Sequence, residues 1–253
     1  MKKTTKVLAL VLCAMMLVVG SVMGTLAYLT FTTEEVKNTF TVGNVNLGEE
    51  DEDGNIKDGL NEAKVNEYGV ILYVTGEDTD ANPIYTTDKD AEGATIAERV
   101  LTNTYKLVPD HTYVKDPTIH VGAGSEACYL FVEVKNGITA IEAADVEGEA
   151  VTTIAGQMSA KGWTPIMEGS DIYYYTDPET NESTVATTAD AGKDVIVFES
   201  FTISKDADNT ALDNHKTATI TVKAYAVQAE GIDDAVTAWS LTFGAQQDGD
   251  KTE

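Results

Sequence analysis

The feature that most constrains the fold is a rhythm of short β-prone runs, each closed by a cluster of turn formers. The runs 69–75, 118–121, 127–135, 172–176, 195–204 and 218–228 draw heavily on Val, Ile, Tyr, Phe and Thr, which suit a pleated, half-buried surface. Pro117 precedes the second run, and Gly122-Ala123-Gly124-Ser125 separates it from the third. Asp177-Pro178-Glu179-Thr180-Asn181 follows the fourth and predicts a hairpin there. An earlier run, Phe40-Thr41-Val42-Gly43-Asn44-Val45-Asn46-Leu47, alternates up to Gly43 and resumes one residue out of phase, as a bulge at glycine produces. Several short strands joined by turns point to an all-β fold, an antiparallel β-sandwich.

Alternation within the strands assigns their faces. In run 127–135, Cys128, Leu130, Val132 and Val134 share one side, so Cys128 reads as a small buried hydrophobe rather than a nucleophile. The other cysteine, Cys13, lies in the apolar leader, and no intramolecular disulfide is expected. In run 218–228, Ala218, Ile220, Val222, Ala224 and Ala226 share a side, small residues that let another element approach closely. Two short helical insertions are predicted. Thr153 caps one carrying Ile154 and Met158, ended by Gly162; Asp233 caps another through Ala235, Ala238 and Trp239. Both are expected over sheet edges. With neither repeat nor linker, 28–253 reads as one domain with a short acidic tail.

The start of the chain carries Lys2, Lys3 and Lys6, an apolar stretch over 7–19 and a small-residue Thr25-x-Ala27 site. That pattern predicts a signal peptide over 1–27, cut between Ala27 and Tyr28, and hence export. The apolar part is also long enough for an uncleaved anchor, but the helix-breaking Gly20 and Gly24 favour cleavage. Charge narrows the partners: 42 acidic residues against 17 basic give a net charge of −25, and losing the leader lysines makes it more negative. Such a surface repels nucleic acid and anionic lipid. With 43% hydrophobic residues a packed core is expected.

Signals of catalysis are sparse. Beyond the leader there are three histidines, His111, His120 and His215, and no H-E-x-x-H helix, G-x-S-x-G elbow or Walker loop. No catalytic residue and no cofactor are assigned. The acidic run Glu49-Glu50-Asp51-Glu52-Asp53-Gly54-Asn55 is a partial match to a calcium loop, with Asp51, Asp53, Asn55 and Glu62 at ligand positions. Ile56 stands where that loop needs glycine. An acidic hairpin tip is the preferred reading, and a weak Ca²⁺ site the alternative.

The junction Gly24-Thr25-Leu26-Ala27-Tyr28-Leu29, followed by Asn38-Thr39-Phe40-Thr41-Val42-Gly43, resembles the leader and first strand of the TasA/camelysin family. So do Lys115-Asp116-Pro117-Thr118-Ile119-His120-Val121, Ala127-Cys128-Tyr129-Leu130-Phe131-Val132, Phe198-Glu199-Ser200-Phe201-Thr202-Ile203 and Ala224-Tyr225-Ala226-Val227-Gln228-Ala229-Glu230-Gly231. The resemblance implies a jelly-roll-like sandwich, released by the dedicated signal peptidase SipW and assembled outside the cell. It further implies homopolymeric fibres of a biofilm matrix or cell surface, with an accessory matrix protein as a further partner.

In TasA-like members the segment exposed by leader cleavage adds as a strand to the next subunit. Here that donor strand is Tyr28, Leu29, Thr30, Phe31, Thr32 and Thr33, within an N-terminal segment 28–37. Leu29 and Phe31 fall on one face of it. The other readings of this stretch are a disordered tail and a strand paired within its own sheet. The camelysin branch is classed as a metalloprotease, which keeps a cell-surface protease as an alternative although this chain lacks a zinc motif; a non-polymerising adhesin is another. N-terminal sequencing of the secreted protein is expected to begin Tyr-Leu-Thr-Phe, whereas an intact leader in the membrane fraction points to an anchor.

Overall fold

The computed structural model describes residues 30–32, 47, 59–97 and 99–244. In chain order these form β1 (Thr30–Thr32), β2 (Leu60–Asn61), β3 (Tyr73–Glu77), β4 (Pro83–Thr86), β5 (Thr95–Ile96), β6 (Thr112–Val114), β7 (Thr118–Val121) and β8 (Cys128–Asn136). Then follow α1 (Ile154–Ala160), β9 (Trp163–Pro165), β10 (Ile172–Tyr175), β11 (Thr184–Val185), β12 (Lys193–Ile196), β13 (Ser200–Thr202), α2 (Asn209–Asn214), β14 (Ile220–Gln228) and α3 (Ala235–Thr242). Strands outweigh helices, 34% to 11%, and the strand pairs are antiparallel. The fold is all-β.

The central element is the pair β8 and β14, in unbroken register from Ile220 opposite Asn136 to Gln228 opposite Cys128. Around it the largest sheet runs β1-β14-β8-β10-β9, with β11 also on β8. Smaller sheets run β12-β7-β2, β13-β6 and β4-β3-β5. The central pair has an apolar face on each side because both strands are apolar at odd and even positions. Cys128, Leu130, Val132, Ala224 and Ala226 enter the main core with Ile119, Val121, Val195 and Phe201. Tyr129, Phe131, Tyr225 and Val227 lie on the opposite side with Ala235, Ala238 and Trp239. The expected faces of both strands are therefore present, with Cys128 fully buried.

Helix α1 follows its sequence signals: the Thr153 hydroxyl accepts from the Gly156 N–H, and Gly162 stands just past its end with φ +91°. Helix α3 starts one residue later than expected, capped by Asp234, whose carboxylate accepts from Thr237 N–H. It covers the sheet face rather than an edge, since its Trp239 packs on Phe131 and Tyr225. Helix α2, capped by Asp208, lacks a sequence signal of comparable strength: none of its six residues is fully buried, and its apolar contact with the core is limited to Ala211 and Leu212.

Two strand expectations are corrected. The turn after β10 forms, with Asn181 N–H donating to Asp177 O, but β11 pairs with β8 instead of β10. The other edge of β10 is taken by β9, so β11 extends β10's row along β8. Run 195–204 is two strands in different sheets, β12 and β13. They part where Gln157 Oε1 accepts from the N–H groups of Glu199 and Ser200. Of run 40–47, only Leu47 lies among the described residues; it is buried and bridges to Val121.

Gly162 offers a direct test of this geometry. A Cβ there would lie 1.9 Å from Thr176 O, in a left-handed backbone conformation. Gly162→Ala is expected to destabilise the fold by more than about 2 kcal/mol, read as a lower urea midpoint.

Candidate functional site

The outer edge of β14 is where strand pairing, burial and charge converge. Strand β1 adds there, with Thr30, Phe31 and Thr32 opposite Val227, Ala226 and Tyr225. Tyr28, Leu29 and Thr33 of the expected donor strand lie outside the described residues, as do Ala27 and the cleavage junction. The structure thus places Thr30, Phe31 and Thr32 in a strand of the chain's own sheet.

The receiving edge is firmly held. Ala226 is fully buried in the main core. On the other face, the Tyr225 ring meets Trp239 edge-on at 5.3 Å and Phe243 at 5.2 Å, while its hydroxyl donates to Glu133 Oε2 at 3.0 Å. Burial, reinforced by that carboxylate, pushes the Tyr225 phenol up. Burial pushes the Glu133 carboxyl up as well, but the hydrogen bonds from Lys135 and Tyr225 together hold it below its ordinary value. Proton donor and acceptor roles are therefore settled at neutral pH, and Tyr225 is fixed from both ends.

Among the described residues, β1 pairs with the C-terminal part of this edge. Among the described residues no strand pairs with Ile220, Thr221, Val222 or Lys223 on that side. These residues line a cleft of about 920 Å³, also lined by Leu60, Leu101, Tyr105 and Leu107. Lys115, Lys135, Lys216 and Lys223 border it. Three are paired, Lys115 to Glu62 at 2.5 Å, Lys135 to Glu133 at 2.5 Å and Lys216 to Asp213 at 3.1 Å. Lys223 lies over the Tyr225 ring at 5.2 Å from its centroid. Glu62 and Glu133 line the same cleft, so its lysines largely offset local acids, beside a strand edge that no strand among the described residues pairs with. The arrangement can take up an extended peptide through main-chain hydrogen bonds and apolar side chains.

The remaining polar features are occupied by the fold. His111 Nε2 contacts Tyr68 O at 2.8 Å, and His215 Nδ1 contacts Ala211 O at 2.8 Å. His120 lies between Asp194 at 2.6 Å and Asn61 at 2.9 Å. The three rings thus serve separate local networks, and among the described residues no group of three or more His, Cys, Asp or Glu side chains is placed to hold a metal. Glu62, the last ligand position of the partial calcium loop, is buried and engaged by Lys115 and Asn103. Glu49, Asp51, Asp53 and Asn55 lie outside the described residues. Burial pushes the Cys128 thiol up to about 12, which leaves it protonated and inert.

Arg99, the chain's single arginine, sits in a polar network that the sequence reading does not assign. Its guanidinium donates to Asp116 Oδ2 at 3.1 Å, to Thr118 Oγ1 at 2.9 Å and to the carbonyl oxygens of Asn61 and Asp116. It also bonds the Asn61 side chain, which His120 shares. One arginine among so many acids is itself a signal, since its planar fork binds several acceptors at once. Its donors are directed into β2, β7 and Asp116, two residues before β7.

The chain was compared with known proteins in three ways. No family model, curated protein or solved structure matches it.

Asp177 links the turn after β10 to β12, through Lys193 Nζ at 2.7 Å, and accepts from the N–H groups of Glu179 and Thr180. The lysine bond first, then those N–H groups, bring its carboxyl down to about 2. A carboxyl near 3.9 when unfolded then stabilises the fold above about pH 4 and loses that contribution as pH falls through about 2. Asp177→Asn is expected to lower the denaturation midpoint at pH 5–7, with the gap from wild type closing toward pH 2.

Proposed function

We propose that the protein is a secreted structural protein of the TasA/camelysin kind, a jelly-roll-like β-sandwich subunit that forms extracellular fibres by donor-strand assembly. The observation that supports this most is the pairing of β1 with the outer edge of β14, next to an open, lysine-bordered cleft. A strand near the expected new N-terminus is thereby matched with an edge able to take such a strand. Edge strands are templates for pairing with another chain, and strand addition lets main-chain bonds supply affinity while alternate side chains supply specificity.

The proposed setting is the extracellular matrix or cell surface, after processing between Ala27 and Tyr28 by the dedicated signal peptidase. The chief partner is another copy of the chain, aided by an accessory matrix protein. Burial of Leu29 and Phe31 in a neighbour would contribute about 1.5–3 kcal/mol each. Opposing it is repulsion between subunits more negative than the −25 of the full chain, screened over about 10 Å at 0.1 M salt.

Assembly is therefore expected to be slow at low ionic strength and neutral pH, and faster with salt, divalent cations or mild acid. Light scattering and electron microscopy of the mature protein, with and without residues 28–33, test this at matched salt. Fibres from wild type and a folded monomer from the deletion support the reading. Equal fibre formation by both rules out the donor strand, and no fibres from wild type under any of these conditions favours a surface adhesin.

A further inference from the structure

We infer that β14 offers one strand-binding register for which the chain's own β1 and a neighbour's β1 compete, so that the self-paired strand holds a subunit out of the fibre. This rests on the donor-strand reading above and adds its regulation. The register observed within the chain aligns Thr30, Phe31 and Thr32 with Val227, Ala226 and Tyr225. Main-chain bonds do not distinguish which copy supplies the strand, and a second copy has the same sequence. Exchange therefore needs no new surface, as in domain swapping.

Three features make the exchange practicable. The self-paired strand spans three residues, against nine on the inner side of β14, so its release leaves the central ladder whole. The receiving residues are held independently of β1: Ala226 by the main core, and Tyr225 by Glu133, Trp239 and Phe243. The edge alongside, Ile220 to Lys223, is paired with no strand among the described residues, which leaves it to a neighbour's longer segment. The stretch Tyr225 to Val227 accepts one strand at a time, so pairing in this register within the chain and between chains exclude each other.

Disulfide locking tests the competition. Phe31→Cys/Ala226→Cys and Thr30→Cys/Val227→Cys occupy adjacent register pairs; these alternate between hydrogen-bonded and non-hydrogen-bonded geometry, so one pair has the closer spacing. Cys128 is fully buried and does not interfere. The oxidised lock is expected to remain monomeric and form no fibres, and reduction is expected to restore fibre formation by the same variant, which also shows that it folds. Mixed single variants, Phe31→Cys with Ala226→Cys and Thr30→Cys with Val227→Cys, are expected to give disulfide-linked dimers when oxidised after assembly. Fibre formation by an oxidised lock, verified by mass, overturns the competition. Fibres without cross-links from either mixture overturn the shared register. Wild type that never forms fibres defeats the donor-strand reading itself, and this inference with it.

Discussion

The long antiparallel ladder between β8 and β14 is the interaction on which the rest of the structure depends. Nine consecutive pairs in one register create a wall that is apolar on both sides. One side closes the main core and the other seats α3. A one-residue slip would exchange the two sets of side chains, bringing Tyr129, Phe131 and Tyr225 into space filled by Cys128, Leu130 and Ala226. The difference in side-chain size between the faces specifies the register. It also leaves the far side of β14 as the sheet's receiving edge.

Much of this architecture is legible in the residues where local signals are strong. Strand β7 begins after Pro117 and ends before Gly122, so chain geometry marks both boundaries. Helix α1 lies between a capping hydroxyl at Thr153 and a left-handed glycine at 162. Legibility fails where the deciding partner is distant. The break between β12 and β13 depends on the Gln157 carboxamide, 42 residues before Glu199. Whether β11 folds back on β10 depends on β9 having occupied that edge. Neither partner can be read from the segment it acts on.

The candidate site divides in the same way. Its strand is recognisable from β propensity beside the expected processing junction, and the small residues of β14 are recognisable from alternation. The pairing between them joins distant parts of the chain and has no local signature. The lysines at the cleft are equally silent in sequence, being spread from 115 to 223. Only the fold brings them to one side of a strongly acidic molecule.

Arg99 gives one corner of the structure a different response to acid from its surroundings. Its guanidinium keeps its charge throughout the range in which carboxylates titrate, and much of what it grips is neutral: the Thr118 hydroxyl and the carbonyl oxygens of Asn61 and Asp116. Those bonds do not require an ionised partner. As acid neutralises the carboxylate pairings elsewhere, the β2–β7 corner keeps part of its tie. That corner therefore loses less of its hydrogen bonding in acid than one held by ion pairs alone.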